Sequence, residues 1–288
     1  MPATVQQSME RFIHHRYHTD RETGHMADAC MNLLSDYLQF WSGLFQQDGL
    51  EMAEELSSDT ADWERELDAK MAQWMDDDTA PVNDLGSLTI DQMDEEHLRE
   101  FIGWYLLKDM ALDSHQVREL LDTLGGWISF SRRNHALEPK QADAFSSILE
   151  QTLPETVRAA TAANALQQMV QSGQFRAPPA TDRCTLRGFV AGMARLRPAQ
   201  GSYLLTFDDN EIASIPITLP QVLHPLLREG DVLHIYLASY GDQRYRLVDS
   251  GPLFPASTWV EATLMERFAP MDTIEALEWD QNPGSPLN

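Results

Sequence analysis

The chain has 288 residues, a formal net charge of −24, 43% hydrophobic residues and 7 Trp. That length and apolar content suit one large domain or two with packed cores, and they exclude a disordered chain. Its two cysteines, Cys30 and Cys184, exclude a disulfide framework, and neither has the C-x-x-C neighbour that zinc or dithiol chemistry needs.

The opening "MPATVQQSMERF" has no basic segment leading into an apolar one, so no secretion signal is expected. No apolar run approaches the length of a membrane span. The expectation is a soluble protein of the reducing cytoplasm, making no membrane contact. Its charge is uneven: residues 1–100 hold 23 acidic and 6 basic residues, whereas residues 176–250 hold 8 and 8. An acidic surface repels phosphate backbones and favours solubility or a basic protein partner.

In chain order, Val5, Met9, Phe12 and Ile13 recur at helical spacing in "TVQQSMERFIHHRY". After a polar break, "HTDRETG", comes the strongest apolar stripe: Met26, Cys30, Leu33, Leu34, Tyr37, Trp41, Leu44 and Phe45. Cys30 lies on it, as a small core residue does. A third helix is predicted after a cap at Ser58 or Asp59, with Trp63, Leu67, Met71 and Trp74 on one face. The acids, proline and glycine of "DDDTAPVNDLGS" then mark an exposed linker and a possible subdivision near 76–87.

The helical pattern resumes with Leu98, Phe101, Ile102, Tyr105 and Leu106. Ser114 is the predicted cap of the next helix, which carries Val117, Leu120, Leu121, Leu124 and Ile128. Gly125 and Gly126 predict a kink or a close helix approach. Pro139 and Pro154 suit the first turns of two further helices that end near Gly173.

Beyond "SGQFRAPPATDR" the period changes to two. "CTLRGFV", "YLLTF", "EIASIPIT", "VLHIYLAS" and "RYRLVDS" are predicted strands. "PQVLHPLL" is a helical turn between them, and Pro216 fits an edge strand. In "VLHIYLAS", Leu233, Ile235 and Leu237 share one face, His234 and Tyr236 the other. A last helix is predicted near "STWVEATLMERF".

The expected fold is therefore α+β. An N-terminal all-α helical bundle, acidic, covers 1–173 and a linker 174–182. A small antiparallel β-barrel of OB/S1-like or SH3-like size covers 183–254, and a helix with a frayed tail covers 255–288.

His14 and His18 stand one helical turn apart and are spaced to chelate a metal, but they point away from the apolar face and lie near Arg11. A solvated polar face is the expectation, and no metal or other cofactor is assigned. Glu22-x-x-His25 has the E-x-x-H spacing of di-iron bundles, whose partner motif is approached only by Asp94-Glu95-Glu96-His97. A metal-dependent helical-bundle enzyme is the weakest reading. The phosphate-binding, dinucleotide, zinc-protease and serine-hydrolase motifs are missing from the chain.

In the strand region the basic residues are all arginines, interleaved with tyrosines. Arg187, Arg195, Arg197, Arg244 and Arg246 with Tyr236 and Tyr240 are the candidates for a single-stranded nucleic-acid platform, guanidinium for phosphate and ring for base. The run "REGDVLHIYLASYGDQRYRLVDSG" resembles the Gly-Asp hairpin of OB-fold and S1-like barrels. "LREFIGWYLLKDMALDSHQVRELLDTLGGWISFSRRNHAL" is similar to the helical core-binding domain of tyrosine recombinases, which implies a pair of amphipathic helices. The catalytic Arg/His/Arg set and Tyr nucleophile of that family are not found, so recombinase activity is not implied. The preferred reading is a non-enzymatic binding or adaptor protein whose acidic helical domain engages a basic protein partner. Nucleic-acid binding through the strand domain is the alternative.

Overall fold

The computed structural model describes residues 3–42, 85–175, 188–209, 212–240 and 245–268. The architecture is α+β, helices first and then an antiparallel sheet. No helix among the described residues is long and apolar enough to cross a membrane. The chain divides into two compact units, residues 1–101 with 119–150 and residues 102–118 with 151–288.

In the first unit, α1 (Val5–Thr19) starts at Thr4, whose hydroxyl accepts from the Gln7 N–H. The polar break expected over 18–24 shrinks to one extended residue. Asp20 ends α1, and its carboxylate caps α2 (Arg21–Phe40) by accepting from the Thr23 N–H. Gly24 therefore lies inside a helix, and the reason is steric: a Cβ there would lie 2.3 Å from the Tyr17 ring. The buried stripe of α2 is Ala27, Cys30, Met31, Leu34, Tyr37 and Leu38. Leu33 is half-buried and Trp41 is exposed at the helix end, so the stripe is narrower than its apolar spacing predicts. The predicted helix after 58 lies outside the described residues.

The start of the chain is tied to 88–90: the Val5 N–H donates to the Leu88 carbonyl at 2.9 Å, and Thr4 bridges to Thr89. Next comes α3 (Glu95–Glu100), capped by Asp94, whose carboxylate takes the N–H groups of Glu96 and His97. A π-helical turn over Phe101–Tyr105 follows. The cap of α4 (Ser114–Arg133) is Asp113 and not Ser114. Asp113 Oδ1 accepts from His115 and Gln116, and Gln116 Oε1 accepts from the Asp113 N–H, a reciprocal pair that a serine one residue later cannot form.

Pro139 begins α5 (Pro139–Gln171) as expected, but Pro154 does not begin another helix. It lies inside one 33-residue helix. The ring removes one N–H, and the apolar spacing on either side continues unbroken in phase, with Phe145 and Leu149 before it and Ala159, Ala163 and Leu166 after it.

The first unit's core gathers Phe12, Met31, Leu34, Tyr37, Leu98, Phe101, Trp127 and Phe145, all buried. Gly126 and Gly125 mark the close approach that their spacing suggested: Cβ atoms there would lie 3.5 Å from the Phe12 ring and 3.0 Å from Leu149. Trp127, fully buried, donates its Nε1–H to Ser8 Oγ at 3.1 Å, and Ser8 Oγ lies 2.8 Å from Ser131 Oγ. Cys30 Sγ donates to the Leu120 carbonyl at 3.4 Å, and burial pushes its thiol up to about 12. In a Cys184→Ser background, Cys30 is expected to stay unlabelled by a thiol-disulfide reagent at pH 8 until denaturant is added. Rapid labelling of the native protein would contradict this placement.

The second unit holds β1 (Gly188–Ala199), β2 (Ser202–Thr206), β3 (Ile215–Ile217), β4 (Val232–Ser239), β5 (Tyr245–Phe254) and β6 (Leu264–Phe268). Their order is β3-β2-β1-β4-β5, all antiparallel, with β6 also on β1. The long β1 pairs with β4 along one edge over Gly188–Arg195. Its other edge is shared, β6 taking Phe189–Gly192 and β2 taking Arg195–Ala199.

Two expectations are corrected here. The sheet is not closed into a barrel, because no ladder joins β3 to β5 among the described residues. The helix predicted near 257–268 is a turn followed by β6. Its backbone satisfies the edge of β1 that β2 leaves unpaired, and the Thr263 and Ala262 carbonyls accept from Met193 and Asp208. Pairing at a vacant sheet edge outweighs the helical spacing of that segment. The face assignment of β4 is as expected: Leu233, Ile235 and Leu237 are buried, His234 is half-buried and Tyr236 is exposed. The helical turn over Gln221–Leu226 and Pro216 in a terminal strand of the sheet path also match.

Candidate functional site

A polar cluster is built on the Gly-Asp of "REGDV". Gly230 has φ 88°, a turn conformation that glycine adopts without strain, and a Cβ there would lie 3.0 Å from the Ala256 Cβ. The turn drives Asp231 into the interior, where its relative exposure is 0%. Both its oxygens are used. Arg158 on α5 donates from Nη1 and Nη2 at 2.8 Å each, the Arg228 N–H donates at 2.8 Å and the Ala256 N–H at 3.3 Å.

Arg158 makes two further bonds beside those to Asp231. Its Nε donates to Glu155 at 3.0 Å and its Nη1 also to the Leu226 carbonyl at 2.5 Å. Glu155 pairs in addition with Arg228. Burial pulls the Arg158 guanidinium down, and its bonds to Asp231 and then Glu155 outweigh this, leaving it above its ordinary value. Burial, then the charge of Asp231, push the Tyr203 phenol up. A carboxylate so fully accepted has no lone pair left for a substrate proton, so the cluster binds α5 to the β4 turn rather than doing chemistry.

The nucleic-acid candidates are partly dispersed. Arg195 is committed to Asp208 and to the Gly230 and Val260 carbonyls, all at 3.3 Å. Arg197 is exposed near the end of β1, opposite Leu204. Arg246 lies over the Tyr240 ring at 5.7 Å. Tyr236, 40% exposed, stands between Ala191 and Asp249 on the neighbouring strands, with its ring 4.9 Å from that of His234. Burial pulls the His234 imidazole down and the charge of Asp249 opposes it. Gly251 makes room for that ring, since a Cβ there would lie 2.5 Å from His234 Nδ1. Arg187 and Arg244 lie outside the described residues.

The histidines separate into different roles. His14 and His18 are exposed on α1, with their Nε2 atoms 2.9 Å apart. His15 stacks on Phe130 at 5.1 Å, and His25 Nδ1 lies 2.9 Å from the Tyr17 hydroxyl. Asp94 and His97, which only approach the partner motif that Glu22-x-x-His25 would need, are used in the cap of α3. No group of three or more His, Cys, Asp or Glu suited to a metal ion occurs among the described residues.

Arg158 is the functional-looking residue that sequence reasoning missed. It sits in the Ala-rich run "ETVRAATAANAL", and its partner is 73 positions away. Comparison with protein-family models, curated proteins and solved structures finds no match.

Proposed function

We propose that this chain is a non-enzymatic binding or adaptor protein whose acidic helical part engages a basic surface on a partner protein. The supporting observation is the contrast in how charge is used. In the first unit, Glu10, Glu22, Asp36, Asp91, Glu95 and Glu96 are exposed on helices or a helical turn, within a hundred residues holding 23 acids and 6 bases. In the second unit Arg158, Arg195 and Arg228 are spent on carboxylates of that unit. The first unit therefore offers a negative field to a partner, and the second mostly neutralises its own. A reducing cytoplasm belongs to this reading, with Cys30 a free buried thiol.

The test is ionic strength. After nuclease treatment, partner affinity is expected to fall roughly tenfold or more as salt rises through the range where the Debye length shrinks from about 10 Å to a few ångströms. Binding that is indifferent to salt would remove the acidic surface as its cause.

A second reading rests on Tyr236 and the Arg246–Tyr240 pair, a ring and a guanidinium presented by the sheet. The helical turn between β3 and β4 and the shared β1 support a small, partly open barrel of the OB kind for this unit. Because β6 pairs with β1, its test is a gel shift of the full chain on single-stranded oligonucleotides. A salt-dependent shift lost in Tyr236→Ala would favour nucleic acid. No shift would leave the protein partner alone.

A further inference from the structure

Two imidazoles face each other on the solvent side of α1. His14 and His18 are both exposed, their Nε2 atoms 2.9 Å apart and their rings 4.3 Å apart at 88°. Two ring nitrogens at that distance must share one electron-pair acceptor. Two N–H groups cannot point at one another there, and two bare lone pairs repel. The acceptor is either one proton or one metal ion.

We propose that His14 and His18 form a two-nitrogen chelate for a divalent transition-metal ion of tetragonal preference, with copper(II) the best fit. Imidazole nitrogens bind such ions at roughly 2.0–2.1 Å, and with bonds of that length the observed separation subtends about 90° at the metal. That is the cis angle of square-planar and octahedral coordination. A tetrahedral ion such as zinc needs its nitrogens roughly 3.3–3.4 Å apart at the same bond length, a change that rotation of two exposed rings supplies, so the preference for copper(II) rests on the order of affinities. Among divalent first-row ions copper(II) also binds nitrogen sites most tightly.

The helix holds the pair in place. His15, between the two ligands in sequence, stacks on Phe130, and the buried Phe12 lies 5.6 Å from the same ring, so the rotation of α1 about its axis is set from its other sides. Arg11, exposed one turn before His14, weakens a cation's approach but offers no ligand and blocks none. The remaining coordination positions belong to water or to a donor brought by a ligand, because no third His, Cys, Asp or Glu joins the pair among the described residues.

The experiment titrates copper(II) into the untagged full chain, followed by calorimetry and electron paramagnetic resonance. The expected result is one tight equivalent whose spectrum carries coupling to two imidazole nitrogens. His14→Ala and His18→Ala should each weaken it by about tenfold or more, since each leaves a single ligand in place of a chelate. His15→Ala and His25→Ala should leave it unchanged, and zinc should bind the wild type more weakly than copper. Alanine at exposed helix positions preserves α1, which circular dichroism checks. Equal copper affinity in the His14→Ala/His18→Ala double variant, or a spectrum without nitrogen coupling, would overturn the proposal and leave a shared proton as the occupant of the pair.

Discussion

Asp231→Ala is expected to destabilise the chain by about 3–5 kcal/mol, the usual loss when one partner of a buried ion pair is removed. The substitution strands the Arg158 guanidinium, which keeps only Glu155 and the Leu226 carbonyl, and it removes the acceptor of the Arg228 and Ala256 N–H groups. Asp231→Asn should also destabilise, because its amide nitrogen turns a donor toward a guanidinium that needs acceptors. Replacing both partners by apolar residues, Arg158→Met with Asp231→Leu, should cost less than Asp231→Ala alone, since it leaves no uncompensated charge in the interior. Urea unfolding followed by far-ultraviolet circular dichroism measures all three. An Asp231→Ala midpoint indistinguishable from wild type would mean that the buried network does not hold α5 to the β4 turn.

Trp127→Ala is the second large effect, expected at about 3–5 kcal/mol from the cavity left by a fully buried indole. Part of the loss is polar. The indole N–H is one of the partners of Ser8 in a buried Trp127–Ser8–Ser131 chain of hydrogen bonds. Trp127→Phe keeps most of the packing and loses that donor, so it should cost distinctly less than Ala. Near-ultraviolet circular dichroism and urea midpoints report both variants. A Phe variant as unstable as the Ala variant would show that the hydrogen bond outweighs the packing of the ring.

What could be seen in the chain beforehand was what local periodicity encodes. The helical spacing of Val5, Met9 and Phe12, the Cys30, Leu34 and Tyr37 positions of the α2 stripe and the alternation of Leu233, Ile235 and Leu237 each repeat within one element, and these residues are buried as their period implies. What escaped depended on a partner elsewhere or on a choice between neighbours. Asp113 and Ser114 are both good caps by type, and what distinguishes them is that the Asp113 carboxylate accepts from His115 and Gln116 while its own N–H donates to Gln116 Oε1. Pro154 is a helix starter by type, and here it is absorbed by a helix whose apolar phase carries across it. The last strand has helical spacing but meets an open edge of β1.

The site shows the same division. Gly230-Asp231 was visible as a turn before a strand, while its meaning lay in Arg158, 73 residues earlier. The arginines of the strand region looked alike in sequence. Asp208 and Glu155, which neutralise Arg195 and Arg228, separate them from the exposed Arg197. Composition located the charge correctly and could not say which of it was already matched.

The most direct test of the adaptor reading is zero-length carboxylate–amine cross-linking of the full chain with its captured partner, at low and high salt, with the linked residues mapped by mass spectrometry. The links are expected to join carboxylates of the helical unit, among them Glu10, Glu22, Asp36, Glu95 and Glu96, to lysines of one protein, and to disappear at high salt. Links confined to the carboxylates of the sheet, or links that persist unchanged at high salt, would contradict the adaptor reading.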